Sequence, residues 1–197
     1  MGIVSSGFLG RRKRDVPGLP PGQYLTEGFP VLSAGPTPKV ERRDWVFSLT
    51  ADTGSNRYWD WNGFSALPQE DIVADIHCVT SWSKLGTSWR GVSVDALLDG
   101  VETSAKFAIF HCYGGYTTNL PLEDVLGGRA WIVHQFDGED LPPEHGGPAR
   151  LLVPHLYLWK SAKWVRGMEL VAEDRPGFWE TRGYHLHGDP WLEERYG

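Results

Sequence analysis

Asp75-Ile76-His77-Cys78-Val79-Thr80-Ser81-Trp82-Ser83-Lys84 decides how the chain is read, because an apolar strand ends there in a thiol followed by small polar groups. Counting by twos from Ile72 puts Ile72, Ala74, Ile76 and Cys78 on one face and Val73, Asp75 and His77 on the other. The thiol therefore points inward. A buried cysteine is either an inert small hydrophobe or a reactive ligand or nucleophile, and this stretch alone leaves both open.

Working outward, 197 residues are enough for one sizeable core, and the composition is that of a soluble globular domain. A net charge of −6 argues against a nucleic-acid footprint, and no apolar run approaches the length of a membrane-spanning helix. Residues 1–22 are basic and rich in Gly and Pro, and read as a flexible arm ahead of a single domain over 23–197. Arg11-Arg12-Lys13-Arg14 invites a twin-arginine export reading, but no apolar segment follows, so a reducing, cytoplasmic setting with free thiols at Cys78 and Cys112 is expected. Ten tryptophans suit either a thick aromatic core or a recess for a flat ligand.

Strands are expected at 45–51, 70–78, 88–92, 106–112, 116–120, 130–136, 149–153 and 164–171, with an extended lead-in over 23–32. Ser93 caps a brief helix through Leu98, and a second short helix starts at Pro121. Residues 52–67 read as an irregular connection and 137–148 as a long turn-rich loop. The class is α+β, strand-rich and mixed or barrel-like, with short helices.

Three constellations carry chemistry. His77-Cys78 and His111-Cys112 suggest zinc, but strand neighbours project to opposite faces, so one pair can hardly offer both side chains to one ion. Cys78 with a histidine base drawn from His111, His134, His145 or His155 is a possible thiol hydrolase. The turn His145-Gly146-Gly147-Pro148-Ala149-Arg150, followed by Lys160, Ser161 and Lys163, brings backbone N–H groups and cations together in a manner suited to a phosphate-like anion. A hairpin with solvated lysines accounts for the same residues.

These motifs together carry a resemblance. DIHCVTSWSKLGTSWRGV (75–92), GGYTTNLPLED (114–124), LPPEHGGPARLLVPHLYLWKSAKWVRGMEL (141–170) and GYHLHGDPWLEERY (183–196) resemble the molybdopterin-dependent oxidoreductase domain of the sulfite oxidase family, in particular its small bacterial members. The resemblance covers the chain from about Gln23 onward. It implies a molybdenum-molybdopterin cofactor with the Cys78 thiolate as metal ligand, a soft donor suited to such a centre. It also implies cofactor contacts from His145, Arg150, Lys160, Ser161, Ala162 and Lys163, and, less directly, from His111, Cys112 and 29–32. Arg90, Lys84 and His134 fall at substrate-side positions. Two departures alter the expected chemistry: Ser83 and Lys84 stand where sulfite oxidases place an oxyanion-binding arginine, and His134 stands where they place a tyrosine. Sulfite is therefore expected to be a poor substrate. The resemblance implies two-electron oxygen-atom transfer on a small substrate, and because a haem extension and a dimerisation domain are missing from the pattern, a separate electron carrier is expected. The rival readings are a non-enzymatic Trp-rich module that binds a ligand or partner, and the thiol hydrolase.

Overall fold

The computed structural model describes residues 16–197, so the Arg11-to-Arg14 export reading and most of the expected arm lie outside the described residues. From Val16 the chain makes tight turns that bury Leu19 and deliver Gln23 to the interior.

In chain order the elements are β1 (Tyr24–Leu25), β2 (Val46–Thr50), β3 (Asn56–Asp60), α1 (Trp61–Ser65), β4 (Glu70–His77), β5 (Trp82–Ser93) and α2 (Val94–Leu98). They continue with β6 (Phe107–Cys112), β7 (Thr117–Pro121), β8 (Trp131–Phe136), β9 (Glu139–Asp140), β10 (Arg150–Leu152) and β11 (Val165–Val171). They form two sheets, the strand-rich α+β arrangement expected. The first runs β1-β5-β8-β10, with β4 hairpinned onto β5 and β9 onto β8; the second runs β3-β2-β11-β6-β7. Among the described residues no helix is long and apolar enough to cross a membrane.

The first sheet is covered on both faces, as alternation along its strands shows. On β8, Ile132 joins the main apolar cluster with Phe47, Phe110 and Met168 of the second sheet, while its neighbours Trp131 and Val133 join a second cluster with Ile72, Ile76 and Cys78. Leu151 and Leu152 of β10 divide in the same way. A strand buried on both sides has no polar face, so β8 and β10 read as near-continuous apolar runs.

Three expectations needed correction. Residues 52–67 are not irregular: β3 pairs antiparallel with β2, and the Asp60 side chain caps α1 by accepting from Gly63 N at 2.7 Å. This strand sits at the sheet edge and alternates only between exposed and half-buried, so its pattern carried little apolar signal. The short strand expected at 88–92 is the end of a 12-residue β5, whose polar first half is held by pairing with β4. His77, expected on the outer face with Val73, is buried, whereas Val73 is 75% exposed. Ile72, Ile76 and Cys78 still share one apolar cluster across the register irregularity between Ala74 and Ile76, so the alternation holds, and Trp191 of the C-terminal segment approaches the His77 ring.

Candidate active site

The structure holds a cavity of about 520 Å³, within the usual range for small-ligand and cofactor sites. Its walls come from Phe29 to Pro38, the turn after β4, the β6–β7 turn, the 158–164 connection and the aromatic segment at 178–184.

Cys78 enters from the turn that joins β4 to β5. Cys78 N donates to Trp82 O and Ser81 N to Cys78 O, each at 2.9 Å, and Ser81 adopts φ 77° to close the turn. Gln23 Nε2 donates to the Cys78 carbonyl at 3.0 Å, tying the lead-in segment beneath it. The thiol lines the cavity at 7% exposure and accepts a hydrogen bond from Thr80 Oγ1 at 3.1 Å.

The opposite wall is cationic. Gly146 has φ 110°, and a Cβ there would meet the Cβ atoms of Arg150 and Lys163 at 3.0 Å. A side chain at that position would push both cations apart, so the glycine is what lets them converge. Arg150 is 2% exposed and donates to His145 O at 2.9 Å, Ser161 O at 2.6 Å and Leu151 O at 3.4 Å. Burial pushes its pKa down to about 10. Lys163 Nζ donates to Leu32 O at 2.8 Å and Glu144 O at 2.6 Å, and burial followed by the nearby Arg150 brings it down to about 8. Among the described residues neither cation has a carboxylate ion-pair partner. His145 stacks on Phe29 with centroids 4.0 Å apart, and its buried Nδ1 has no hydrogen-bond partner. Burial, then Lys163 and Arg150, lowers its pKa, which favours the neutral ring. Ser161 Oγ accepts from Val153 N at 2.8 Å and donates to Val153 O at 3.5 Å, so what the residue offers here is its carbonyl to Arg150 and its place in the wall beside Ala162.

The cavity is lined by a soft thiol, the buried Arg150 and the half-buried Lys163, neither cation with a carboxylate partner, and the His145 ring with its orphaned nitrogen stands just behind the lining residue Phe29. That donor set fits a thiolate-ligated metal carried on an anionic organic group.

Other residues singled out from the sequence lie elsewhere. Lys160 points away from the cavity: its ammonium is fully buried and committed to Glu180 Oε1 (2.6 Å), Asn119 O (2.8 Å) and Asn119 Oδ1 (3.1 Å). Glu180 also accepts from Trp159 Nε1 at 3.0 Å, so the Lys160 pair anchors an aromatic wall instead of touching a ligand. His111 sits on the second sheet against Glu169 at 3.3 Å. The Cys112 thiol belongs to the main apolar cluster, where burial pushes it up to about 12 and keeps it protonated. Arg90 pairs across strands with Asp71 at 2.7 Å on the surface. Lys84 donates to Glu27 O at 2.7 Å. His134 packs edge-on against Trp61 and Phe64 with Nε2 at 3.0 Å from Gln69 Oε1, and it does not line the cavity. The two His-Cys pairs stand at the ends of strands in different sheets, and among the described residues no group of three or more His, Cys, Asp or Glu is placed to hold a metal ion. The sequence reading missed Thr80, Trp82, Trp159, Phe178, Trp179 and Tyr184, all of which line the cavity. Their one advance sign was the high tryptophan content.

The family model described as "Oxidoreductase molybdopterin binding domain" matches residues 34–179. The chain belongs to this family. It is a molybdopterin-dependent oxidoreductase of the sulfite oxidase type, and its cofactor is molybdenum-molybdopterin. "Uncharacterized oxidoreductase YuiH" of Bacillus subtilis (strain 168) is 41% identical over 181 residues, covering 90% of this chain and 91% of that protein. The "Protein-methionine-sulfoxide reductase catalytic subunit MsrP" of Pseudomonas syringae pv. tomato is 25% identical over 182 residues, covering 82% of this chain and 53% of that protein. In fold, the chain is similar to the sulfane dehydrogenase SoxCD of Paracoccus pantotrophus, with TM-score 0.62 and 18% identity over 70% of this chain and 40% of that one. The chain thus spans about half the length of MsrP and less of SoxCD.

Proposed function

We propose that Cys78 is the molybdenum ligand, that Arg150, Lys163 and His145 hold the anionic part of the cofactor, and that the aromatic mouth admits a small uncharged substrate. When bound, the cofactor supplies two-electron oxygen-atom transfer chemistry. The observation that carries the reading is the pair of cations without a carboxylate partner, Arg150 buried and Lys163 half-buried, that line the cavity holding the Cys78 thiol.

With those two cations committed to the anionic part of the cofactor, the remaining lining favours an uncharged acceptor. Arg150 and Lys163 are the cations that line the cavity, both already hydrogen-bond backbone carbonyls, and Lys84 and Arg90 lie outside it. A doubly charged oxyanion such as sulfite would find no free bidentate arginine there. A sulfoxide would instead place its apolar substituents against Trp82, Trp159 and Trp179. Its reduction balances when the sulfoxide takes up two electrons and two protons, the sulfur–oxygen bond breaks, and the sulfide and one water leave. Tyr184 lines the cavity and is held protonated, chiefly by burial and secondarily by Tyr196 and Cys78, so it would be a proton donor available to a substrate bound there. The MsrP relative, named as a sulfoxide reductase catalytic subunit, supports both the acceptor class and electron delivery by a separate carrier. The test is to assay protein loaded in a cofactor-producing host with a small dialkyl sulfoxide and a reduced dye, and with sulfite and an oxidant. Turnover of the sulfoxide with little sulfite oxidation is expected. Fast sulfite oxidation without sulfoxide turnover overturns the reading.

A further inference from the structure

We infer that Thr80 is a positioning residue that sets the electron-donating strength of the Cys78 sulfur. The inference rests on Cys78 being the ligand and adds a residue that tunes it.

Thr80 lies two residues beyond Cys78 in the β4–β5 turn and is exposed, so water is available to its hydroxyl. Its Oγ1 nevertheless donates to Cys78 Sγ at 3.1 Å, and both side chains line the cavity. The turn is pinned from outside the cavity. Val79 O accepts from Arg195 Nη1, Cys78 O accepts from Gln23 Nε2 at 3.0 Å, and Ser81 N closes onto Cys78 O at 2.9 Å. With the carbonyls on both sides of the Cys78–Val79 unit held, the Thr80 side chain is presented to the sulfur by the backbone.

A hydroxyl donated to a thiolate sulfur draws charge from it. Hydrogen bonds to ligand sulfurs are among the levers that set the potentials of thiolate-ligated metal centres. Reduction adds negative charge, so the donor favours the reduced form, and deleting it shifts the midpoint potential negative. The same deletion raises the energy of the sulfur lone pair and moves the sulfur-to-metal absorption to longer wavelength.

The experiment compares loaded wild type, Thr80→Val, Thr80→Ala and Thr80→Ser by metal content, mediated redox titration and visible absorption, each normalised to bound molybdenum. Thr80→Val and Thr80→Ala should show one-electron reduction weakened about tenfold, a shift of about 59 mV, with the absorption moved to longer wavelength. Thr80→Ser should restore both. A loaded Thr80→Val with unchanged potential and band, or a shift that Thr80→Ser fails to reverse, overturns the role of Thr80 and leaves the ligand assignment standing. Wild type that takes up no molybdenum in a cofactor-producing host overturns the ligand assignment itself.

Discussion

Replacing Arg150 by Met should affect the empty and the loaded protein differently. Burial brings the guanidinium from 12.5 to about 10, a cost of roughly 3 kcal/mol to the charged form in the folded state. Methionine removes that cost. It also strips His145 O and Ser161 O of their donor, and each buried acceptor left unpaired costs about 1–3 kcal/mol. The two effects partly offset, which leaves empty Arg150→Met between about 1 kcal/mol more stable and about 3 kcal/mol less stable than empty wild type, a Tm change below about 12 °C. The loaded state loses a charge-assisted hydrogen bond of about 1.5–3 kcal/mol to the cofactor anion, so retention should weaken roughly 10- to 150-fold. Scanning calorimetry of cofactor-free protein and molybdenum content after dialysis read the two effects separately. Full retention in Arg150→Met, or an empty variant that no longer folds, refutes the reasoning that this cation is kept for a ligand and not for the fold.

Lys160→Met should destabilise by roughly 3–5 kcal/mol in urea titration by leaving Glu180 buried without its cation, and Lys160→Met/Glu180→Met should recover much of the loss. Lys163 has a folded pKa lowered from 10.5 to about 8, so its penalty is full below about pH 8 and is relieved as pH rises toward 10.5. Relative to Lys163→Met, cofactor-free wild type should therefore gain stability over that window in equilibrium unfolding, the comparison cancelling the opposite contribution of Cys112, whose raised pKa costs stability as pH climbs past 9. His134→Phe should leave the pH profile of kcat/KM unchanged, because the ring packs against Trp61 and Phe64 away from the cavity; loss of an acid limb in that variant would restore His134 to the substrate side.

What was legible in the sequence followed the physics of each segment. Alternation from Ile72 placed Cys78 inward, and the Ser93 cap set the start of α2. The glycines at 146 and 147 signalled a close approach, and the structure shows the two cations that approach there. Partnering was not legible. Lys160 and Lys163 stand three residues apart in the same motif, yet one is buried against Glu180, 20 residues further on, while the other faces the cavity. Arg90 and His134 were spoken for by Asp71 and Gln69, contacts set by strand register and not by local pattern. The aromatic wall at 178–184 has no helical or strand period to reveal it, being held by the Lys160–Glu180 pair and by stacking of Trp179 on Tyr184.

The central claim is that the Cys78 sulfur binds the metal, and the most direct measurement is molybdenum-edge X-ray absorption on wild type and Cys78→Ser, with Cys112→Ser as the control. The account predicts one fewer sulfur neighbour in Cys78→Ser per bound molybdenum, with Cys112→Ser matching wild type because its thiol stays protonated in the apolar core. An unchanged sulfur count in Cys78→Ser would contradict it.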